Sequence, residues 1–155
     1  MPAPVIKTIE VPCTPKTAFR IFTEDLSRWW PKDKHSVSAM SGAPAREVTL
    51  EPRLGGAIYE VAADGTRHHW GSVRVYDPVT AFGLLWHIGR PEAEATRVDL
   101  AFEAIATGTR VVLTHSGWEV LAGDAGSARD SYDAGWVHVF ETCFQSACTG
   151  AQVRG

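Results

Sequence analysis

The segment from Val5 to Pro31 constrains the fold most, because it joins a strand directly to a capped helix. Residues 5–11 alternate between apolar and polar from Lys7 onward, which predicts a strand with one buried face. Thr14 followed by Pro15 predicts a helix start, since a hydroxyl caps free amides and proline suits the first helical position. Followed by many strands and one late helix, this unit predicts a cupped sheet that grips a helix. The apolar stripe of the first helix is Ala18, Phe19, Ile21 and Phe22, and Leu26, Trp29, Trp30 and Pro31 close the element.

Composition excludes several classes of protein. A chain of 155 residues is predicted to form a single domain, 1–155, that buries roughly 68–70% of its unfolded surface. The formal net charge of −3 argues against a nucleic-acid partner, because phosphate binding needs clustered lysines and arginines. No apolar run is long enough to cross a membrane, and the N-terminus lacks the apolar stretch of a signal peptide. Cys13, Cys143 and Cys148 have no Cys-x-x-Cys spacing, so we expect reduced thiols and a cytoplasmic protein.

The middle of the chain has the period of two that is typical of strands. Lys32 to Ala45 has no period and is predicted to be a loop, and Asp64-Gly65 predicts a tight hairpin turn. Together with the first strand, about seven strands are predicted. The other strands are predicted at Arg46–Glu51, Ala57–Ala62, Thr66–Tyr76, Ala81–Ile88, a segment with Val98, Leu100 and Phe102 on one face, and Arg110–Trp118.

A long helix is predicted near the C-terminus. Ser127 and Asp130 form a variant of the capping box, which predicts a helix start, and the pattern that follows is helical over roughly twenty residues. Its polar side carries His138, Glu141 and Gln145. The apolar arc, which should cover the sheet, consists of Tyr132, Trp136, Val139, Phe140, Cys143 and Ala147.

Several short motifs follow one another in an order typical of a known superfamily. They are Pro15 with Ala18-Phe19, Trp29-Trp30-Pro31, Gly55-Gly56 before a strand, Gly71-x-Val73 before Asp77-Pro78, Trp86 at a strand end, the run Thr109-x-Val111-x-Leu113-x-His115-x-Gly117, and a closing helix with a tryptophan. From Val5 to Ala147 the chain resembles the START-like (SRPBCC) superfamily, which has the helix-grip fold of the birch-pollen allergen. Within it, the chain is similar to the branch called activator of heat-shock-protein-90 ATPase homologue-like.

The resemblance implies an α+β helix-grip fold. A curved antiparallel sheet of about six to seven strands would wrap around a long C-terminal helix, with two short helices after strand 1. It also implies a cavity between sheet and helix for lipids, polyketides or other apolar molecules. Combined with the strand phases, it gives a candidate ligand-binding set of Trp30, His69, Val73, Trp86, Leu100, Phe102, Leu113, His115, Tyr132, Trp136 and Phe140.

Individual residues leave alternatives open. His115 is in phase with Val111 and Leu113, so it is either a core histidine or a polar group that orients a ligand or exchanges a proton with it. Trp86 either lines the cavity or fills the core. Of Trp29 and Trp30, we expect only Trp30 to face inward. By phase, three acidic side chains are expected to face outward: Glu60, Asp99 and Glu103.

Three functions follow as hypotheses. The favoured one is the binding of an apolar, aromatic or lipid-like small molecule. The alternatives are an enzyme of the cyclase or hydratase type with His115 as general acid–base, and a protein-interaction module resembling a co-chaperone. We expect no metal, because adjacent strand residues such as His68 and His69 point to opposite faces and cannot easily bind one ion together. No cofactor is expected either. The chain is expected to be a monomer or a homodimer.

Overall fold

Seven antiparallel strands form one sheet in the computed structural model, which describes residues 3–154 and the side chains as far as Gly150. The order across the sheet is β1-β7-β6-β5-β4-β3-β2, so the first and last strands are neighbours. The predicted α+β helix-grip architecture is therefore confirmed. The strands are β1 (Val5–Val11), β2 (Glu47–Leu50), β3 (Ala57–Val61), β4 (Arg67–Asp77), β5 (Ala81–Trp86), β6 (Thr96–Ile105) and β7 (Gly108–Ser116).

The first helix begins as its sequence predicts. In α1 (Pro15–Thr23) the Thr14 hydroxyl accepts a hydrogen bond from the Thr17 amide at 3.2 Å, and Pro15 takes the first helical position. A second short helix, α2 (Leu26–Trp29), follows. Trp29 and Trp30 are both buried, which corrects the expectation that only Trp30 faces inward. The alternation of a strand does not apply to them, because they lie at the end of a helix.

The segment predicted as a loop contains a third helix, α3 (Val37–Met40). Its cap is Ser36, whose hydroxyl accepts a hydrogen bond from the Ala39 amide at 2.9 Å. A single helical turn has no apolar period, so the sequence pattern did not reveal it. α3 connects the first two helices to the edge strand β2.

The C-terminal helix differs from its prediction at both ends. It runs without a break from α4 (Ala125–Trp136) through a π-helical segment (Val137–Phe144) into α5 (Gln145–Arg154). Ser127 does not cap it; the Ser127 hydroxyl instead donates to the Asp124 carbonyl at 3.1 Å. A 3₁₀ segment, Trp118–Asp124, precedes the helix and includes Trp118, which was predicted to end a strand.

One apolar core lies between the sheet and the C-terminal helix. The inward residues of β6 and β7 are buried as their alternation predicts, and so are Phe82, Leu84 and Trp86 of β5. Phe19 of α1 packs within 5.3 Å of Phe102, measured between ring centroids. Two bulges interrupt the strand pairing, one between β3 and β4 and the other between β4 and β5. The first of them changes which residues of β4 reach the core.

Candidate functional site

Four tryptophans from four separate segments pack together where the C-terminal helix meets the sheet. We call Trp30, Trp70, Trp86 and Trp136 the indole cluster. Trp30 contacts the three others, with ring-centroid distances of 5.1 Å to Trp70, 5.9 Å to Trp86 and 6.1 Å to Trp136. Trp86 also contacts Trp70 and Trp136, at 5.6 and 5.8 Å. The rings are tilted or edge-on to one another, which is the arrangement that aromatic quadrupoles favour. The cluster therefore fills much of the space in which a cavity was expected.

Every N–H group of the indole cluster has an acceptor within the protein. An indole can only donate, so each of these bonds fixes the role of its partner. As a result, the cluster offers a ligand ring faces and ring edges rather than polar groups. The acceptors are the His35 carbonyl for Trp30 (2.7 Å), Glu60 Oε1 for Trp70 (2.8 Å), the Tyr132 hydroxyl for Trp86 (3.1 Å) and His115 Nδ1 for Trp136 (3.1 Å).

A cleft of about 610 Å³ opens beside this cluster. Three segments form it: residues 34–40 around α3, residues 88–94 between β5 and β6, and the outer turns of α4 with the start of the π-helical segment. Its volume lies within the usual range for small-molecule sites. The lining residues are Trp30, Lys34, His35, Ser36, Met40, Ile88, Gly89, Arg90, Pro91, Glu94, Ala128, Ser131, Tyr132, Gly135, Trp136 and Val139.

The cleft brings together part of the predicted ligand-binding set. Trp30, Tyr132 and Trp136 line it directly. Trp86 and His115 do not line the cleft, but each is hydrogen-bonded to a residue that does: Trp86 to Tyr132, and His115 to Trp136. The five others with inward positions are buried in the core and are absent from the lining of the cleft: Val73, Leu100, Phe102, Leu113 and Phe140. The candidate site thus lies at the edge of the helix–sheet interface rather than at its centre.

His69 was predicted to face the cavity, and this prediction is wrong. Its side chain is exposed on the outer face of the sheet, with its ring 5.5 Å from that of Tyr59. In the pairing with β3, Ile58 opposes Gly71 and Tyr59 opposes His69, so Trp70 is an extra residue at a bulge. The bulge turns Trp70 inward, where it is fully buried.

Glu60 was predicted to face outward and is instead fully buried. Its carboxylate accepts hydrogen bonds from both amides at the start of α3, those of Val37 and Ser38, and from the Ser38 hydroxyl at 2.7 Å. The Trp70 indole is its fourth donor. Burial alone would raise the pKa of Glu60, but these hydrogen bonds outweigh burial and hold the pKa below its usual value. Glu60 therefore fastens one wall of the cleft to the sheet.

His115 is a neutral histidine with both ring nitrogens engaged. Nδ1 accepts from Trp136, so the ring proton is on Nε2, which lies 2.7 Å from the Thr96 hydroxyl. Thr96 in turn donates to the Trp86 carbonyl at 3.2 Å. Burial lowers the pKa of His115 to about 3, and the ring of Trp118 lies 4.2 Å away. This arrangement is that of a core histidine, which is one of the two interpretations that the sequence left open.

Several residues of the cleft were not among the sequence candidates. Arg90 lines its mouth and forms ion pairs with Glu94 at 2.8 Å and Asp124 at 3.6 Å. His35 lies against the C-terminal helix, with its ring 5.5 Å from that of His138. His138 is half-buried, although it was predicted to lie on the polar side of the helix. Burial, assisted by the nearby His138, lowers the pKa of His35. These residues come from loops and a single helical turn, where sequence periodicity carries no signal.

A second groove lies between the α1–α2 region and the outer side of the C-terminal helix. Its volume is about 840 Å³. Arg20, Asp25 and Arg28 contribute much of its lining, and Trp29 is its single aromatic ring. The first cleft has three large aromatic rings and is the better candidate for an apolar ligand, because such sites are mostly apolar and aromatic.

Within the described part of the chain, no three histidine, cysteine or acidic side chains lie close enough together to hold a metal ion. None of the described helices combines the length and the apolar character that crossing a membrane requires.

Comparison with solved structures supports the fold. A crystal structure of a Mesorhizobium loti protein is 18% identical, with a TM-score of 0.67, over 92% of this chain and 95% of that one. The solution structure of the Aha1 dimer from Colwellia psychrerythraea is 16% identical, with a TM-score of 0.64, over 96% of this chain and 97% of the other. The anthrahydroquino-gamma-pyrone synthase Txn09 is 26% identical, with a TM-score of 0.59, over 86% and 90% of the two chains.

The sequence itself also matches a family. A search of the curated proteins finds no match. The model of the family described as activator of Hsp90 ATPase homolog 1-like protein matches residues 12–143, which is most of the chain. The chain therefore belongs to the activator of Hsp90 ATPase homolog 1-like family.

Proposed function

We propose that this protein binds a planar, apolar small molecule in the cleft beside the C-terminal helix. The observation that carries the proposal is the wall of the cleft, where Trp30, Tyr132 and Trp136 meet around about 610 Å³ of open space. Aromatic rings bind other rings through stacked and edge-on contacts as well as by apolar burial. Members of this fold commonly bind ligands, and the cleft gives this chain a place to do so.

An aromatic ligand fits the cleft better than a flexible lipid chain. The lining combines rings with a charged rim that includes Lys34, Arg90 and Glu94. A compact molecule with an apolar body and a polar edge satisfies both regions. The relative named as an anthrahydroquino-gamma-pyrone synthase supports an aromatic ligand by its name.

The two alternative functions receive less support. A general acid–base must reach the substrate, whereas His115 does not line the cleft and both its ring nitrogens already have partners. For an interaction module, the large exposed apolar side chains of the described residues come from separate segments: Ile6, Met40, Leu54, Val120 and Val137. These five give no reason to choose one surface as a docking site.

A blocking variant tests the proposal. Ser131 is exposed and lines the cleft, so Ser131→Trp adds bulk there without removing a buried contact. Ala134 is exposed on the same helix and is not among the lining residues, so Ala134→Trp is the matched control. Equilibrium dialysis against fluorene, a planar tricyclic hydrocarbon, should show binding to the wild type and to the control but at least tenfold weaker binding to Ser131→Trp. Equal binding by all three proteins would place the ligand elsewhere and refute the proposal.

A further inference from the structure

We infer that the cleft selects planar aromatic ligands that carry a carbonyl oxygen, which Tyr132 and Arg90 bind together. This inference rests on the proposed function and narrows its ligand class. It is based on the hydrogen bonding of Tyr132 and Arg90, two of the polar residues that line the cleft.

The Tyr132 hydroxyl has an unused proton. Because the Trp86 indole can only donate, the hydroxyl oxygen is the acceptor of their 3.1 Å hydrogen bond. Among the described residues, no acceptor is within hydrogen-bonding reach of the Tyr132 proton. Burial raises the pKa of Tyr132, so the hydroxyl stays protonated at neutral pH. The oxygen of the Tyr132 hydroxyl therefore already accepts a hydrogen bond, whereas its proton remains available to donate one.

Arg90 places positive charge at the same cleft. Arg90 and Tyr132 both line the cleft, so a ligand bound there can meet the two groups at once. Among the described residues, the hydrogen bond of the Arg90 guanidinium uses Nη1, which donates to Glu94 at 2.8 Å. A guanidinium has donors on all three nitrogens, so Nε and Nη2 remain as donors for a ligand.

These two groups determine what kind of oxygen would fit. The Tyr132 hydroxyl proton and the Arg90 guanidinium are both hydrogen-bond donors, so they favour a ligand oxygen with negative charge density. Neither group would favour a ligand N–H or O–H. A ring carbonyl, as in an aryl ketone or a quinone, presents such an oxygen in the plane of its rings. The rings would lie against Trp30 and Trp136 while the oxygen meets Tyr132.

The test compares two probes that differ in one group. Fluorene and 9-fluorenone share the same tricyclic shape, but only 9-fluorenone has a carbonyl. Tyr132→Phe should weaken the binding of 9-fluorenone by about 2- to 10-fold, the effect of one hydrogen bond, and change fluorene binding by less than about 2-fold. Arg90→Gln, which keeps an extended polar side chain without the charge, should show the same selectivity. Equilibrium dialysis gives all the dissociation constants, and thermal unfolding checks that each variant is folded.

The outcomes separate this inference from the proposed function. If Tyr132→Phe and Arg90→Gln weaken the two probes equally, or weaken neither, the carbonyl inference is wrong while binding in the cleft stands. If the wild type binds neither probe, both proposals fail. If Tyr132→Phe does not fold, a non-selective effect of Arg90→Gln is sufficient to overturn the inference.

Discussion

The Glu60 carboxylate accepts a hydrogen bond from the Trp70 indole at 2.8 Å inside the protein. This contact joins two systems that would otherwise be separate. On one side, Glu60 holds the amides at the start of α3, which forms a wall of the cleft. On the other, Trp70 packs against Trp30 and Trp86 in the indole cluster. The α3 side of the cleft and the indole cluster beside it are therefore held by the same carboxylate.

Replacing Glu60 should destabilise the fold and disturb the cleft. Glu60→Ala leaves the Val37 and Ser38 amides and the Trp70 indole without their acceptor, which we expect to cost about 3 kcal/mol in the free energy of unfolding. Urea denaturation measures this loss. The control is Glu103→Ala on the exposed face of β6, with an expected change of at most about 1 kcal/mol. Equal losses in the two variants would show that the Glu60 network contributes little.

Stability should fall as the solution is acidified from pH 6.5. The folded protein holds the pKa of His115 at about 3, whereas an unfolded histidine titrates near 6.5. Below the unfolded pKa the unfolded state gains a proton that the folded state does not, so the folded state loses stability as pH falls towards 3. The slope for this one group is at most about 1.4 kcal/mol per pH unit.

The range from pH 6.5 to 5 isolates the histidine contribution from that of Glu60. The pKa of Glu60 is depressed, so it stabilises the fold above its unfolded value of 4.5 and loses this effect only at lower pH. His35 also has a lowered pKa, so the experiment uses a His35→Gln background. In that background His115→Gln should flatten the slope of unfolding free energy between pH 6.5 and 5. An unchanged slope would contradict the account of His115.

The protonation state of His115 can be observed directly. The Trp136 indole requires an unprotonated Nδ1, so the ring should be the neutral Nε2–H tautomer. Nitrogen-15 NMR of the imidazole should show this tautomer unchanged from pH 7 to 5. A protonated Nδ1 at pH 7 would mean that the hydrogen bond with Trp136 is absent.

Met40 should control access to the cleft. Its side chain is 70% exposed, and its Sδ and Cε atoms lie beside Gly89 on the other side of the mouth, with Cε 3.4 Å from where a Cβ would be. Met40→Ala removes this bridge and little buried contact, so unfolding free energy should change by less than about 0.5 kcal/mol. Stopped-flow mixing with 9-fluorenone should show faster association and faster dissociation. Rates identical to those of the wild type would exclude a gating role.

The elements with a regular period were predictable from the sequence. The alternation of Val111, Leu113 and His115 predicted buried positions in β7, and all three are fully buried. The start of α1 followed from Thr14 and Pro15, whose local chemistry determines the structure. These features depend on neighbours along the chain, which a sequence shows directly.

The features that the sequence did not predict depend on contacts between distant segments. Trp70 faces the core in place of His69 because a single bulge shifts the phase of the strand. No residue type marks that bulge unambiguously in the sequence. Glu60 shares a face with the buried Ile58, but three of its four donors are in α3, more than twenty positions away. Phe144, fully buried, was missed because the π-helical segment alters the helical period around it.

The central claim is that a small molecule binds in the cleft. Native mass spectrometry, first of the protein as purified and then with added 9-fluorenone, tests this claim most directly. Wild type and Ala134→Trp should each carry a non-covalently bound molecule, or bind added 9-fluorenone in a one-to-one ratio, whereas Ser131→Trp should do neither. Denaturing the wild-type complex would release a retained molecule for identification. Unliganded masses for all three proteins at saturating 9-fluorenone, or equal occupancy of all three, would contradict a ligand site in this cleft.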